Sequence, residues 1–565
     1  MPPDSLPFTL ETEVIGPLPI INHFLARTHI EELLFQQLDD NGASRSEYAQ
    51  CIGVLIRNIL LAREPLYAIQ EWTEPYRSEL LGFPEESIGA LTDDRIGRAL
   101  DRLFDMDRAS FLTEIVVRVM RDFKIETVEL HNDTTTVTFN GRYDSATGGK
   151  VRGKTTLVIT FGHNKDHRPD LKQLLWSLTV TADGAVPIHY KVYDGNTNDS
   201  PTHRETWDAL RQLLGRPEFL YVGDSKLCSE GTLQYIDSQG GHFLTVLPRT
   251  RKEDGLFRDW MQSHEPTWIE VRRDKPAFIG GECNVWHMME SPIPASDGFR
   301  LVWIWSSRMA AVDRDAREDR MARAIIRIEQ LETRLRNPRT RYRCREAVAA
   351  AAERAIGDSA EHWVDYDLSE EEEISYRQDG KGRPGKNTQY KRQTRTRYHV
   401  GWTPKEDNII YDARTDGMFP LLTNSRDIPL KKLLSAYKFQ PKLEKRHEQF
   451  KTVYGVAPML LKKPTRIEAL LCVYFLALLI EALIERELRK AMKAHGLEAV
   501  PLYPEDRACE APTTDKLLQL FDAVRLHRLK EGDKEIQVFP PDLNEKQREL
   551  LGLLGVPVEA YTGLK

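Results

Sequence analysis

Three acidic residues that lie far apart in the chain, Asp133, Asp224 and Glu444, are the strongest candidates for chemistry in the sequence. Asp133 lies in the predicted strand "LHNDTTTVTF", and Asp224 ends the predicted strand "FLYVGD". A carboxylate at the end of a strand faces the crevice beyond the sheet edge, where α/β folds bind ligands. Glu444 lies on a predicted helix, "QPKLEKRHEQFK", which we expect to pack against the same sheet.

These three carboxylates, once brought together, repel one another unless metal ions neutralise them. Carboxylate oxygens without a nearby cysteine or histidine pair favour Mg²⁺ or Mn²⁺. Two such ions about 3.5–4 Å apart activate a water or a sugar hydroxyl and stabilise the leaving oxygen when a phosphodiester is displaced. A simpler interpretation stays open for each aspartate, because strand-end aspartates commonly form turns and helix caps.

The helix that carries Glu444 is predicted to begin near Gln440, because Pro441 suits the first turn of a helix. At about 100° per residue, Glu444 and Glu448 share one stripe with Lys451. The neighbouring apolar stripe consists of Phe439, Leu443, Phe450 and Tyr454. The side chains predicted to face water are Lys438, Lys442, Lys445 and Gln449. An ordinary amphipathic surface helix is the simpler interpretation of the same pattern.

The composition limits the class of protein. The chain has 565 residues, of which 41% are hydrophobic and 29% charged, as in a globular protein of several domains. The net charge of −7 excludes a uniformly basic coat protein for nucleic acid, so any site for a polyanion must be local. The six cysteines lie far apart without a C-x-x-C pair, which disfavours a zinc ribbon or a disulfide framework and favours a reducing cytoplasm.

The sequence predicts no segment that enters a membrane. The first residues, "MPPDSLPFTLETEV", lack a basic region followed by an apolar one, so we expect no signal peptide. The longest apolar run, from Ala469 to Ile480, has twelve residues. A membrane span needs about twenty, so this run predicts a buried helix.

Periodicity divides the chain into five predicted segments. Helical patterns dominate the beginning, and strands followed by alternating helices and strands come next. This order predicts an α/β fold with a ribonuclease-H-like mixed-sheet core, which a large insertion interrupts. The segments are an N-terminal helical domain (1–120), the first part of the core (121–250), an insertion domain (251–415), the second part of the core with the Glu444 helix (416–490) and a helical C-terminal region (491–565).

The insertion contains a basic segment, "GKGRPGKNTQYKRQTRTRYHV", which we predict to be an exposed loop. Its cations are able to contact a polyanion, although basic loops are commonly only solvated. The candidate contacts are Lys391, Arg392, Arg395 and Arg397.

Tyr437, Gln440, Glu444 and Lys451 have the spacing of a known signature, Y-x2-R-x3-E-x6-K, with Gln440 in place of its arginine. The segments "LHNDTTTVTF" and "YVGDSKL" are similar to the two aspartate strands of the same family, and "YDGNTNDS" to a further block. From about residue 14 to residue 530, the chain therefore resembles the DDE transposases of bacterial insertion sequences.

This resemblance implies roles for individual residues. Asp133, Asp224 and Glu444 would be the catalytic residues that bind two Mg²⁺ or Mn²⁺ ions. Tyr437, Gln440 and Lys451 would contact DNA near the reacting phosphate, and the N-terminal helical domain would recognise the DNA ends. The basic residues expected to neutralise phosphates near this helix are Lys438, Lys442, Lys445, Arg446, Lys462 and Lys463.

The implied function is Mg²⁺-dependent cleavage of DNA at the ends of an insertion element, followed by strand transfer to target DNA. The implied partners are double-stranded DNA with terminal inverted repeats, target DNA and a second copy of the chain, because joining two ends requires at least a dimer. The location would be the bacterial cytoplasm, without a membrane partner. Two alternatives stay open: a ribonuclease-H-like nuclease without strand transfer, and a DNA-binding relic that has lost catalysis.

Overall fold

The computed structural model describes residues 8–38, 44–83, 89, 91–276, 281–457, 459, 461–503, 505 and 507–564. The chain forms two compact units. The core unit comprises Met1–Thr245 and Leu433–Lys565, and the inserted unit comprises Val246–Lys432.

The first segment of the core unit contains eight helices and eight strands among its described residues. The helices are α1 (Leu18–Thr28), α2 (Ile30–Gln37), α3 (Ser44–Leu61), α4 (Ile69–Thr73), α5 (Asp93–Asp105), α6 (Arg108–Asp122), α7 (Asp199–Leu214) and α8 (Glu230–Ser238). The strands are β1 (Phe8–Val14), β2 (Glu129–Phe139), β3 (Lys150–Val151), β4 (Lys154–Thr155), β5 (Lys172–Thr181), β6 (Pro187–Tyr193), β7 (Leu220–Val222) and β8 (His242–Val246).

The inserted unit supplies the next set of elements. Its helices are α9 (Lys252–Ser263), α10 (Ser307–Leu335), α11 (Arg345–Ile356) and α12 (Glu406–Ala413). Its strands are β9 (Ile269–Arg273), β10 (Val285–Glu290), β11 (Arg300–Ser306), β12 (Val364–Gln378), β13 (Tyr390–Pro404) and β14 (Met418–Thr423).

The chain then returns to the core unit. The helices of this return segment are α13 (Leu430–Tyr437), α14 (Gln440–Glu448), which a π-helical turn (Gln449–Val453) extends, α15 (Pro464–Ala494), α16 (Thr514–Gln519), α17 (Glu545–Leu554) and α18 (Glu559–Thr562). Its strands are β15 (Val500–Pro501), β16 (Ala508–Cys509), β17 (Arg525–Glu531) and β18 (Lys534–Phe539).

A mixed sheet organises the core unit, with its strands in the spatial order β6-β5-β2-β7-β8. Strand β5 is antiparallel to both β2 and β6, whereas β7 is parallel to β2 and to β8. The register pairs His131 of β2 with Val222 of β7. Asp133 and Asp224 each lie two residues beyond this pair on adjacent parallel strands. The predicted α/β class with a mixed sheet is confirmed, and the sheet itself positions the two aspartates.

Helix α15 is the central helix of the core unit. It is long and apolar enough to cross a membrane by composition, but 94% of its most apolar stretch is buried inside the protein. The N-terminal helices α1, α3 and α5 pack against it. The apolar run of α15 is therefore covered by the protein's own helices.

The prediction of a helical C-terminal region is wrong in part. Strands β17 and β18 form an antiparallel hairpin there, and β1 from the N-terminus pairs with β17. The turn between β17 and β18 contains Gly532 at φ +58°, a backbone conformation that glycine adopts readily. The sequence does contain a signal for this hairpin, a glycine turn between two runs of alternating polar and apolar residues.

The inserted unit contributes four sheet strands in the order β14-β11-β10-β9, with antiparallel pairing throughout. Trp303 of β11 is fully buried and stacks on Phe257 of α9, with ring centroids 3.7 Å apart. A second cluster joins α10 and α11 to the start of a long hairpin, β12–β13. The segment predicted as a basic loop is mostly strand β13, because its alternating Thr, Tyr and Arg residues pair with β12.

Candidate active site

Helix α14 begins at Gln440 with Pro441 in its first turn, as the sequence predicts. All four residues of the predicted apolar stripe are buried. Phe439 stacks on His131 of β2 at 4.3 Å between ring centroids, and Phe450 stacks on Trp176 of β5 at 4.4 Å. These contacts fix the helix on the sheet, and Glu444 is exposed on the same helix.

Asp133 is in electrostatic contact with both of the other predicted catalytic residues. The Asp133 side chain is 18% exposed. Asp133 lies on β2, and Asp224 follows the adjacent parallel strand β7. The pKa of Asp133 is raised to about 6, mainly by burial, which the charge of Lys165 opposes and the negative charges of Asp224 and Glu444 support. Asp133 therefore lies within electrostatic range of both other carboxylates, and we refer to the three residues together as the acidic cluster.

Asp224 is held by groups on two sides. The backbone N–H of Lys226 donates to its Oδ1 at 3.0 Å, and Nε2 of His203 on α7 lies 3.6 Å from the same oxygen. Burial opposes ionisation of Asp224, but His203, the backbone N–H of Lys226 and the charge of Lys165 together outweigh it and hold the pKa of Asp224 below its ordinary value. The other ring nitrogen of His203 lies 3.0 Å from the Tyr221 hydroxyl, which orients the imidazole.

Lys165 is the cation nearest to Asp133. Its Nζ lies 3.9 Å from Oδ1 of Asp133 and 3.1 Å from Oδ2 of Asp199. The same Nζ donates to the backbone carbonyl of Thr134 at 2.7 Å. One lysine shared between two aspartates leaves the acidic cluster with a net negative charge.

His447, one helical turn after Glu444, faces Asp133 with its Nε2 at 3.8 Å from Oδ2. The residue is 6% exposed, and neither ring nitrogen has hydrogen-bond geometry to any atom of the described residues. Burial lowers the pKa of His447 to about 3, so the ring is neutral at physiological pH. A neutral imidazole whose nitrogens make no hydrogen bond therefore lies against the acidic cluster.

Two other signature residues also lie near this cluster. Tyr437, at the end of α13, is half-buried, and its pKa is raised by burial and by the charge of Glu444. Lys451 pairs with Asp166, and its Nζ donates to Oγ1 of Thr135 at 3.3 Å. Among the remaining residues that the sequence assigned to DNA, Gln440 is half-exposed and Lys442 and Lys445 are exposed.

Arg446 contradicts its predicted role as a phosphate contact. It is 3% exposed and forms an ion pair with Glu485 of α15 at 3.0 Å. It also donates to the carbonyl of Ala185 in the β5–β6 turn at 3.1 Å. Gln449, predicted to face water, is buried and donates to Glu481 at 2.6 Å. The reason is that α14 is covered on two sides, by the sheet and by α15, whereas the pattern indicated one buried face.

The four predicted contacts of the inserted unit lie on β13. Arg397 pairs with Glu373 at 2.7 Å, and Lys391 pairs with Asp379 at 3.0 Å. Arg395 donates to the carbonyl of Pro338 at 2.7 Å. Arg392 is exposed. Three of the four cations therefore already have a partner within the protein.

The carboxylates of Asp133, Asp224 and Glu444 are the type of ligand that a hard divalent cation prefers. Carboxylate oxygens are the preferred ligands of Mg²⁺ and Mn²⁺, and the cluster has fewer positive than negative charges. Within the part of the chain that the structure describes, no three His, Cys, Asp or Glu side chains lie close enough together to hold a metal ion.

Sequence reasoning missed Lys165, His203 and His447. Only His447 had a signal, its position three residues after Glu444 on the same helix.

The fold and the site define an α/β protein with an acidic cluster beside the ends of adjacent parallel strands. Residues 10–117 match the family described as "Domain of unknown function (DUF4277)". No curated protein matches the chain. A cryo-EM structure of a piggyBac transposase synaptic complex with hairpin DNA is similar at 9% identity with a TM-score of 0.38, over 91% of this chain and 82% of that one. At this level of similarity no property of that protein is transferred to this chain.

Proposed function

We propose that the protein is a DDE transposase of an insertion element, which cleaves DNA at the element ends and transfers the freed strand to target DNA. The observation that carries the proposal is that Asp133 and Asp224 each lie two residues beyond the paired His131 and Val222 of adjacent parallel strands. The helix that carries Glu444 is held on the same sheet, where Phe439 stacks on His131. Asp133, Asp224 and Glu444 are the three residues that the sequence resemblance assigns to catalysis. The strand order β6-β5-β2-β7-β8 supports a ribonuclease-H-like core.

Asp133, Asp224 and Glu444 would hold two Mg²⁺ or Mn²⁺ ions. When bound, such ions activate the attacking hydroxyl and stabilise the leaving oxygen of the phosphodiester. His203 orients the carboxylate of Asp224, and Lys165 limits the repulsion between Asp133 and Asp199.

DNA would approach from the exposed side of α14. Tyr437, Gln440 and Lys451 are the signature positions near Glu444, and Lys442 and Lys445 add exposed positive charge for phosphates. The substrates would be double-stranded DNA with terminal inverted repeats and target DNA, in the bacterial cytoplasm. A homodimer is expected in the DNA complex, because two ends must be held together.

The test uses a duplex that carries the inverted repeats flanking the coding region. The full chain with Mg²⁺ is expected to cleave this duplex at the repeat boundary and to join the new 3′ end to a plasmid. Cleavage without joining would identify a nuclease instead. Binding without cleavage would identify an inactive relic.

A further inference from the structure

The hairpin β12–β13 has a firmly packed base. Each strand has fifteen residues, which span roughly 50 Å at about 3.3 Å per residue. At the base, Val364 and Val400 are buried in a cluster with α10 and α11. The same cluster receives the half-buried Tyr366, Leu368 and Tyr398.

The outer part of the hairpin, residues 371–397, has no such packing, and we name it the hairpin arm. None of its residues is buried. An isolated two-stranded hairpin is marginally stable in water, because it has no third strand or helix to cover a face. From Tyr376 to Arg392, the hairpin arm therefore offers both faces to a partner.

Charge is distributed unevenly along the hairpin arm. Near its base, Arg397 is neutralised by Glu373. From Tyr376 to Arg392, the sequence has six Lys and Arg residues and one Asp, a charge of +5 in a chain whose net charge is −7. The arm cations that form no ion pair within the described residues are Arg377, Lys381, Arg383, Lys386, Arg392 and Arg395, of which Arg395 donates to the carbonyl of Pro338.

One face of the hairpin arm also exposes large apolar and aromatic side chains. The register pairs Tyr376 with Arg392, and Gln378 with Tyr390. Because alternate residues of a strand point to the same side, Ile374 shares this face. Ile374, Tyr376 and Tyr390 are 46%, 68% and 53% exposed. Exposed apolar side chains beside cations indicate a binding surface rather than a merely solvated ribbon.

We propose that the hairpin arm binds duplex DNA, with Lys381, Arg383 and Lys386 on phosphates and the Tyr376 face against a groove. The major groove of B-DNA admits a two-stranded β-ribbon, and the positive arm complements a polyanion. This inference rests on the proposed function for its choice of DNA. It assigns the DNA contact to the hairpin tip, which contains Lys381, Arg383 and Lys386, rather than to the ion-paired cations of β13.

The experiment measures binding of the full-length protein to a mixed-sequence duplex of about 40 base pairs, without divalent metal, over a range of salt concentrations. The test variant is Lys381→Ala/Arg383→Ala/Lys386→Ala. Its control, Arg320→Ala/Arg323→Ala/Arg327→Ala, removes three exposed cations from α10 in the same unit. The slope of log K against log salt is expected to fall by up to about 2.7 in the test variant, at about 0.9 per phosphate contact, and to stay unchanged in the control.

A second variant, Tyr376→Ala/Tyr390→Ala, removes the aromatic face and leaves the charge intact. It is expected to weaken binding at every salt concentration without changing the slope. This variant also keeps the proposal testable if the triple variant fails to fold.

An unchanged slope in the tip variant, or an equal fall in the control, would overturn the proposal. A changed sedimentation coefficient with unaltered DNA affinity would instead assign the hairpin arm to a second copy of the chain. Failure of the proposed function gives a different result. In that case the wild-type protein would not cleave DNA, while tip-dependent binding could still be present.

Discussion

The acidic cluster and the hairpin arm are both charged, but their charged side chains differ in number and in how they are paired. In the cluster, three carboxylates lie near one lysine, and the helix that carries Glu444 is held by one buried ion pair, Arg446–Glu485. In the arm, many charges are exposed and several are paired across the two strands. Removing one buried charge is expected to have a large effect, whereas the effect of exposed charges depends on their total number.

The largest expected effect tests the cluster directly. Glu444→Gln should lower single-turnover cleavage in Mg²⁺ by more than about 100-fold, because Glu444 is proposed as a direct metal ligand and even residues one step removed from a metal are worth about 10–100-fold. DNA binding should be retained, because the amide keeps the shape of the side chain. The same assay with Asp133→Asn and Asp224→Asn should give the same result.

Glu448→Gln is the matched control, one turn along the same helix and exposed. Its rate should stay within about five-fold of wild type, since an exposed charge contributes roughly 0–1 kcal/mol. An inactive Glu448 variant beside an active Glu444 variant would move the site by one helical turn.

The second effect separates two adjacent basic residues. Arg446→Met should lower the free energy of unfolding by about 3 kcal/mol or more, because Glu485 would keep a buried charge without this partner. Lys445→Met, an exposed change, should stay within about 0.5 kcal/mol. Urea unfolding of both variants measures the difference, and equal stabilities would return Arg446 to the list of DNA contacts.

The third effect is a dependence of stability on pH. Burial raises the pKa of Glu481 to about 7, and the neighbouring Glu485 adds to the increase. A carboxyl group with a raised pKa in the folded state stabilises the protein at low pH, and this stability is lost as the pH rises from about 4.5 to about 7. Glu481→Gln should flatten this change, which amounts to at most about 3 kcal/mol.

Thermal unfolding at pH 5 and pH 8, about three pH units apart, would measure this change in stability for the wild type and the Glu481 variant. Glu487→Gln is the control, a partly exposed carboxylate on the same helix. A Glu481 variant with the pH dependence of the wild type would show that another group causes it.

The smallest effect concerns the paired charges of the hairpin arm. Glu373→Gln removes the partner of Arg397, so the slope of DNA binding against salt should rise by about 0.9. Glu372→Gln, an exposed neighbour on the opposite face, makes the same change in net charge. If both variants raise the slope equally, the pairing of Arg397 has no special effect.

The sequence predicted the elements that follow simple periodicity. The start of α14, its apolar stripe and the α/β order of the core all depend on local patterns, and the structure has them. Arg446 and Gln449 were predicted wrongly, because a helix covered by α15 as well as by the sheet has no water-facing side at those positions. Local sequence does not show which distant element covers a face.

The residues around the carboxylates illustrate the same limit. His203 and Lys165 reach the cluster from a helix and a loop whose sequences carry no catalytic pattern. Their proximity depends on how α7 and the loop before β5 pack, which is a tertiary property. The hairpin of β17 and β18 was missed for a local reason, since its glycine turn was readable in the sequence.

The inserted unit also determines when the site is completed during synthesis. Strands β2 and β7, with both aspartates, leave the ribosome before residues 246–432, and Glu444 leaves after them. At about 5–20 residues per second, translating this stretch takes roughly 10–40 s. During this interval the nascent sheet lacks α14 and α15. The chain cannot acquire its third carboxylate, and hence any activity that needs it, until the inserted unit has been synthesised.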